Sequence, residues 1–237
     1  MKSYKEWLQE HDTHQRFPIT DNSINSVIVK AFDKVIEASK TNHDNNYQDF
    51  VAKTLTDYLK EHLTNINVSS EGKCKIKSDC SLSDPNNLDK NTFYVINNPT
   101  NIQSWPDIAL VYNNRAMVVE VKTSKNDKIK WNSGTIKKNC LYVYKNTRTM
   151  EVSLFMGYDK QNDSEQFNDD TIKKFKKEVL EFALSLLKTK YQELNTQNLQ
   201  YDIRNVWNDN IKYTKHDKRD AWFSEAKNYI ANFDWGL

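Results

Sequence analysis

Residues 104–144 read SWPDIALVYNNRAMVVEVKTSKNDKIKWNSGTIKKNCLYVY. Two apolar runs, PDIALVY and RAMVVEVKT, stand on either side of Asn113 and Asn114. Asparagine tolerates positive φ, so the pair predicts a tight hairpin between two strands. Asp107 opens the first strand, directly after Pro106. Glu120 and Lys122 are two apart on the second, and strand side chains alternate, so both project from one face. Val119 and Val121 turn to the other face and its covering layer. The hairpin therefore brings two carboxylates and one ammonium to a single sheet edge. Charges set at the margin of a core are costly unless they are paired. This cluster is where chemistry is expected.

Outward from the hairpin, NTFYVIN (91–97), NCLYVY (139–144) and MEVSLFMGY (150–158) read as further strands. A short strand is also predicted at KCKIK (73–77), inside an otherwise polar stretch. DNSINSVIVKAFDKVIEASK (21–40) repeats Ile24, Val27, Ile28, Ala31, Val35 and Ile36 at three-and-four spacing, a helix with one apolar face. Asp21, Asn22 or Ser23 caps it. NYQDFVAKTLTDYLKEHL (46–63) follows as a second helix. The acidic NDSEQFNDD (162–170) leads into a third, DTIKKFKKEVLEFALSLLKTKYQEL (170–194). Its stripe of Phe175, Val179, Phe182, Ala183 and Leu186 is assigned to the core. LQYDIRNVWND (199–209) reads as a late strand and KRDAWFSEAKNYIANF (218–233) as a last helix. That helix turns Trp222, Ala226, Tyr229, Ile230 and Phe233 inward. The order predicts an α/β fold, one domain over 1–237 with a central mixed β-sheet flanked by helices. The helices fall at about 22–63 and 170–235 and the strand core at about 92–158.

Composition bounds the function. The 237 residues are 38% hydrophobic and 28% charged with only four glycines and four prolines, which suits a globular domain and excludes a collagen-like or linker-type chain. A net charge of +2 excludes a uniformly basic coat but allows a local basic patch. Cys74, Cys80 and Cys140 form no CxxC pair, which argues against a disulfide framework or a cysteine zinc site. No apolar run reaches membrane-spanning length and the first residues carry no apolar signal core. A cytoplasmic, bacterial protein with no membrane partner is expected.

Two oxygen-donor carboxylates suit a hard cation such as Mg²⁺, which binds substrate phosphates and keeps waters. A lysine beside them can orient such a water and offset developing charge. Pro106-Asp107 followed by Glu120-Val121-Lys122 resembles the PD-(D/E)xK nuclease motif, and the fuller segment, from Trp105 to Asp159, resembles type II restriction endonucleases. That resemblance implies a restriction-endonuclease-like core and Mg²⁺-dependent, sequence-specific cleavage of double-stranded DNA leaving 5′-phosphates. Mn²⁺ is expected to substitute. Asp107 and Glu120 would bind metal beside the backbone carbonyl of Val121, and Lys122 would position the attacking water. Many members add a glutamate from an early helix. Here that helix offers Gln48 and Asp49, with Asp49 the better ligand if the helix turns it inward. A homodimer is expected on a palindromic site, along with a cognate DNA methyltransferase in the same system but not in a stable complex.

The segment after the catalytic strand, TSKNDKIKWNSGTIKKN, is the expected DNA-reading element. Lys125, Lys128, Lys130, Lys137 and Lys138 suit the phosphate backbone. Asn132, Ser133 and Asn139 suit base edges or adjacent phosphates, Gly134 admits close approach, and Trp131 can stack or wedge. Three rival readings remain: a structure-selective repair or junction-resolving nuclease of the same fold, a catalytically inactive DNA-binding module, and an ordinary α/β protein in which Glu120 and Lys122 form an edge-strand ion pair. An iron–sulfur nuclease of this kind needs four cysteines and the chain has three. Arg204, Lys215, His216, Lys218 and Arg219 could clamp DNA, but a solvated surface charge run is the better default reading.

Overall fold

The computed structural model describes residues 23–43, 45–77, 79–84, 87–100, 105–132, 137, 139–157, 169–190, 206–208 and 212–237. Two helices come first, α1 (Ile24–Ser39) and α2 (Tyr47–His62). Six strands form the main sheet: β1 (Asn67–Ser69), β2 (Thr92–Asn97), β3 (Ile108–Tyr112), β4 (Arg115–Ser124), β6 (Cys140–Asn146) and β7 (Val152–Met156). Their order in space is β1-β2-β3-β4-β6-β7. β1 with β2 and β4 with β6 are parallel pairs, and the other neighbours are antiparallel, so the sheet is mixed. A separate two-stranded ribbon pairs β5 (Lys130–Asn132) with β8 (Val206–Asn208). Helices α3 (Asp169–Lys190) and α4 (Arg219–Ala231) complete the described elements.

Local chemistry explains the elements. Ser23 caps α1 by accepting from the Ser26 N–H, and Asn46 caps α2 by accepting from the Asp49 N–H. Asn113 and Asn114 have φ of 45° and 62°, the two left-handed positions a two-residue hairpin requires. The Asn113 amide then reaches the Trp235 and Gly236 carbonyls, which ties the chain's last residues to the hairpin.

The pleat divides the sheet into two unlike faces. Phe93, Val95, Ile108, Leu110, Met117, Val119, Leu141, Val143 and Leu154 pack against α1, α2 and α4 in the main core. On the opposite face lie two smaller clusters. Tyr94, Ile96, Ala109, Val111 and Ala116 pack with Cys74 and Leu82. Val118, Cys140, Tyr142, Tyr144 and Phe155 pack with Ile129, Tyr213 and Trp222. Trp222, Ala226 and Ile230 of α4 and Phe233 just beyond it are buried, while Tyr229 is only half-buried.

Two expectations need correction, for the KCKIK stretch and the α3 stripe, and the late strand is found in part. The KCKIK stretch supplies only an isolated bridge, Ile76 to Leu82, because Cys74 and Leu82 bury it as a strap over the sheet rather than as a ladder strand. The late strand spans three described residues, 206–208; Arg204 lies outside the described residues. The α3 stripe is not core: Phe175, Phe182 and Leu186 are exposed and Val179 and Ala183 are half-buried. A period of 3.6 reports that a helix has an apolar side, not what lies against it.

Asn114 allows a direct check of the hairpin. Asn114→Val forces a β-branched residue into the left-handed region and should cost about 1–2 kcal/mol in urea denaturation. Asn114→Gly should remain within about 0.5 kcal/mol of the parent.

Candidate active site

The β3–β4 register places the carboxylates. Tyr112 pairs with Arg115, and the ladder runs back to Ile108 opposite Val119. Carried on past the ladder's end, the same register sets Asp107 opposite Glu120 at one step and Pro106 opposite Val121 at two. Both acids therefore share the face that carries Ala109, Val118, Cys140 and Tyr142. Like charges directly opposite across an antiparallel pair repel, so this arrangement needs compensation. Lys122, on the same face of β4, supplies it. Its ammonium donates to Glu120 Oε2 and lies 3.6 Å from Asp107 Oδ2.

Two backbone N–H groups and one side-chain amide fix Asp107. Its Oδ2 accepts from the Val121 N–H at 2.8 Å. Its carbonyl accepts from the Asn98 N–H at 2.8 Å and from Gln48 Nε2 at 3.0 Å. A strand residue sends its N–H and its C=O toward the same neighbouring strand. The Val121 carbonyl is thus directed to the β3 side, where Pro106 has no N–H to offer. The Asp107 and Glu120 carboxylates, both within reach of the Lys122 ammonium, and a Val121 carbonyl on the β3 side are hard oxygen donors, the type a small divalent cation takes.

Glu120 is 7% exposed. Burial, above all, pushes its carboxyl up to about 7; the Asp107 charge adds to this and Lys122 opposes it. Burial by itself would push the Lys122 ammonium down, but Glu120 and Asp107 outweigh it and hold the pKa above the ordinary lysine value. Lys122 is therefore a cation at neutral pH. Cys140 is wholly buried nearby. Burial, then the Glu120 charge, pushes its thiol far up, so it is no thiolate nucleophile.

Helix α2 presents Gln48, not Asp49, to the motif. Gln48 Nε2 also reaches Asn97 Oδ1 at 2.6 Å and Asn98 Oδ1 at 3.1 Å. Asp49 is exposed, and its carboxylate is taken up by Asn46 and Asn97 side chains. The inward turn that would have made Asp49 the better ligand is not met, because the helix's rotation is fixed by Tyr47 and Val51, which are buried. Asn97 and Asn98 were not anticipated; two asparagines closing a strand were the available signal. Among the described residues, no cluster of three or more His, Cys, Asp or Glu side chains has metal-binding geometry.

The expected reading segment is partly brought to the site. Lys125 is exposed just beyond β4, and the Lys137 N–H donates to the Tyr142 hydroxyl at 2.9 Å, beside Glu120 in register. Asp127, also unanticipated, anchors the segment: its Oδ1 accepts from the Thr214 N–H at 2.9 Å and hydroxyl at 2.7 Å. Lys128 is half-buried between Asp127 and Ile129. Lys130, Trp131 and Asn132 form β5. Ser133, Gly134 and Lys138 lie outside the described residues. Asn139 is not brought to the acids. It lines a cavity of about 390 Å³ with Cys80, Arg115 and Tyr229 near the start of β4. Arg219 is no solvated surface residue: its guanidinium donates to the Val152 carbonyl and lies over the Phe223 ring.

Compared with family models, with curated proteins and with solved structures, the chain gives no match. No helix among the described residues is long and apolar enough to cross a membrane.

The raised Glu120 pKa predicts the pH response of the metal-free protein. The fold holds the proton more tightly than the unfolded chain, whose glutamate titrates at its ordinary 4.5. Stability contributed by the protonated form is present at low pH and is lost as pH rises through about 7. In chelator, Tm should fall between pH 5 and pH 7.5, and Glu120→Gln should flatten that fall. An equally steep fall in the variant rules Glu120 out as its source.

Proposed function

We propose that the protein is a type II restriction endonuclease, a Mg²⁺-dependent enzyme that hydrolyses phosphodiester bonds of double-stranded DNA at specific sequences. The observation that carries this reading is the convergence of Asp107, Glu120 and Lys122 on one sheet face, with the Val121 carbonyl directed alongside. Asp107, Glu120 and the Val121 carbonyl would hold the metal. When bound, Mg²⁺ supplies Lewis-acid polarisation of a phosphoryl oxygen and lowers the pKa of a coordinated water.

The chain's own residues do the rest. The Val121 N–H and Gln48 hold Asp107 in place, so its carboxylate needs no rearrangement on loading. Lys122 remains charged at neutral pH, so it does not act as the base. It donates hydrogen bonds that orient the attacking water, and it offsets negative charge growing on the phosphate. Cleavage leaving a 5′-phosphate follows from the same resemblance that names the class. Were Glu120 and Asp107 to hold a metal, the Lys122 ammonium, now paired with both, would be free to donate to water and phosphate.

The ribbon supports duplex DNA as the substrate. β5 begins eight residues after Lys122 and pairs with β8, and a two-stranded ribbon is one of the shapes a major groove admits. Lys130, Trp131 and Asn132 are assigned to bases and adjacent phosphates, and Lys125, Lys128 and Lys137 to the backbone. Asp127 holds the base of this ribbon through Thr214.

Plasmid and phage DNA incubated with Mg²⁺ should yield discrete fragments, and none in chelator. Intact DNA in both conditions, with no metal binding, refutes the proposal. Preferential cutting of branched DNA without sequence preference assigns the site to a structure-selective nuclease instead. Lys122→Ala should lower the cleavage rate by roughly 10²–10³-fold while DNA binding persists; a normal rate removes Lys122 from the mechanism. Asn132→Ala should cut more loosely related sites, and an unchanged fragment pattern removes it from the reading surface.

A further inference from the structure

The strap over the sheet alternates along its length. Cys74 is buried and Ile76 half-buried, while Lys73, Lys75 and Lys77 are all exposed. Side chains of an extended chain point to opposite sides in turn. Cys74 and Ile76 therefore face the sheet, and the three lysines face solvent in one row. The backbone holds that row at several points. The Cys74 N–H donates to the Pro99 carbonyl at 2.9 Å, the Ser83 N–H to the Lys75 carbonyl at 2.8 Å and the Lys77 N–H to the Ser81 carbonyl at 2.9 Å. Gly72 brings the start of the strap hard against β2: a Cβ there would lie 2.9 Å from Leu88 Cδ2 and 3.3 Å from Ile96 Cδ1.

The strap lies on the functional side of the sheet. Cys74 and Ile76 pack with Tyr94, Ile96, Ala109, Val111 and Ala116, on the face that carries Asp107 and Glu120. It starts at the acid end, since Pro99 follows Asn98, whose N–H donates to the Asp107 carbonyl at 2.8 Å. It ends at the hairpin, where the Cys80 carbonyl accepts from the Ala116 N–H at 2.8 Å. Lys73 is thus toward the acids and Lys77 toward the hairpin. The ribbon is anchored beyond the opposite cluster, where the Tyr213 N–H donates to the Asp127 carbonyl at 3.2 Å. The acids lie between a lysine row on one side and the ribbon's anchor on the other.

Spacing and charge select the partner. Alternate residues of an extended chain stand about 6.6 Å apart. A strand of B-DNA rises about 3.4 Å per nucleotide and turns about a tenth of a circle at a radius of about 10 Å, so its phosphates follow at about 7 Å. Lysine stems are long enough to absorb the difference. Neither Lys73 nor Lys75 makes an ion pair among the described residues. The acids nearest in sequence, Glu71 and Asp79, stand at the two ends of the row. Asp79 Oδ1 is turned back onto the Ser81 N–H and hydroxyl, at 3.0 and 2.6 Å. A row of ammonium groups with no amide or hydroxyl among them suits phosphates and carries no sequence information.

We propose that residues 73–77 form a phosphate-gripping wall, with Lys73, Lys75 and Lys77 on successive phosphates of one strand of a DNA duplex lying across Asp107 and Glu120. This deepens the nuclease reading and rests on DNA being what the acidic site receives. The wall supplies affinity, and the ribbon across the site supplies sequence.

Binding measured in chelator, where nothing is cut, tests it. The probe is a fluorescently labelled duplex of random sequence, about 25 base pairs long, titrated with the full chain by anisotropy between about 50 and 200 mM salt. Lys73→Gln, Lys75→Gln and Lys77→Gln should each make log K against log salt shallower by about 0.9, and the triple variant by about 2.7. Over that fourfold range of salt the triple variant should lose about 40-fold less affinity than the parent loses. Lys34→Gln, Lys53→Gln and Lys60→Gln together remove the same charge from α1 and α2, on the other face, and should leave the slope within about 0.5 of the parent's. An unchanged slope in the strap variant overturns the proposal. So does an equal change in the helix variant, or a parent that binds no duplex. Discrete cutting in Mg²⁺ with an unchanged slope leaves the nuclease reading standing and removes the wall. Strap-dependent binding without cutting keeps the wall and removes the nuclease.

Discussion

Two carboxylates facing each other across adjacent strands repel, and the centre of this molecule is organised around that repulsion. Asp107 and Glu120 meet where β3 stops pairing with β4. Lys122 lies between them, the Val121 N–H takes one Asp107 oxygen, and burial keeps Glu120 partly protonated. Each device offsets part of the cost and none is permanent: a proton, an ammonium and a hydrogen bond can all be exchanged for a cation. A stable ion pair needs one acid and one base. The second acid is what makes the site suited to binding something positive.

How much of this was legible in the chain depended on the range of the forces involved. The β3–β4 hairpin was plain because Asn113-Asn114 fixes it within four residues. The shared face of Glu120 and Lys122 was plain because strand alternation is local. The choice between Gln48 and Asp49 was not, since neighbouring helical positions differ by 100° and only the packing of Tyr47 and Val51 sets the rotation. Strands β1 and β5, three residues each, carry too few alternations to register. On α3, Phe175 and Phe182 showed a periodic apolar side correctly, but periodicity cannot say whether that side meets its own sheet or something else.

The strap and the anchors show how a sheet face can be both packed and open. Cys74, Leu82 and Tyr94 close one end, and Tyr142, Tyr213 and Trp222 close the other. The acids lie between these clusters, dry enough to perturb Glu120 yet with Asp107 and Lys122 still partly exposed. Tyr142 belongs to both settings: its ring packs on Phe155 and its hydroxyl accepts from Lys137. The segment leaving β4 therefore starts and ends over the same wall.

Pro106 has a meaning for solubility as well as for the site. Among the described residues, β4 from Glu120 to Ser124 is laddered to β6 alone, which makes a short free edge inside the sheet. Unpaired edges invite strands from other molecules. Here the position facing Val121 is held by a residue that cannot donate, and the Val121 N–H is already occupied by a carboxylate. An incoming peptide would find its first rung taken and a buried charge beside it. The same arrangement that sets the two acids together thus guards this edge against aggregation.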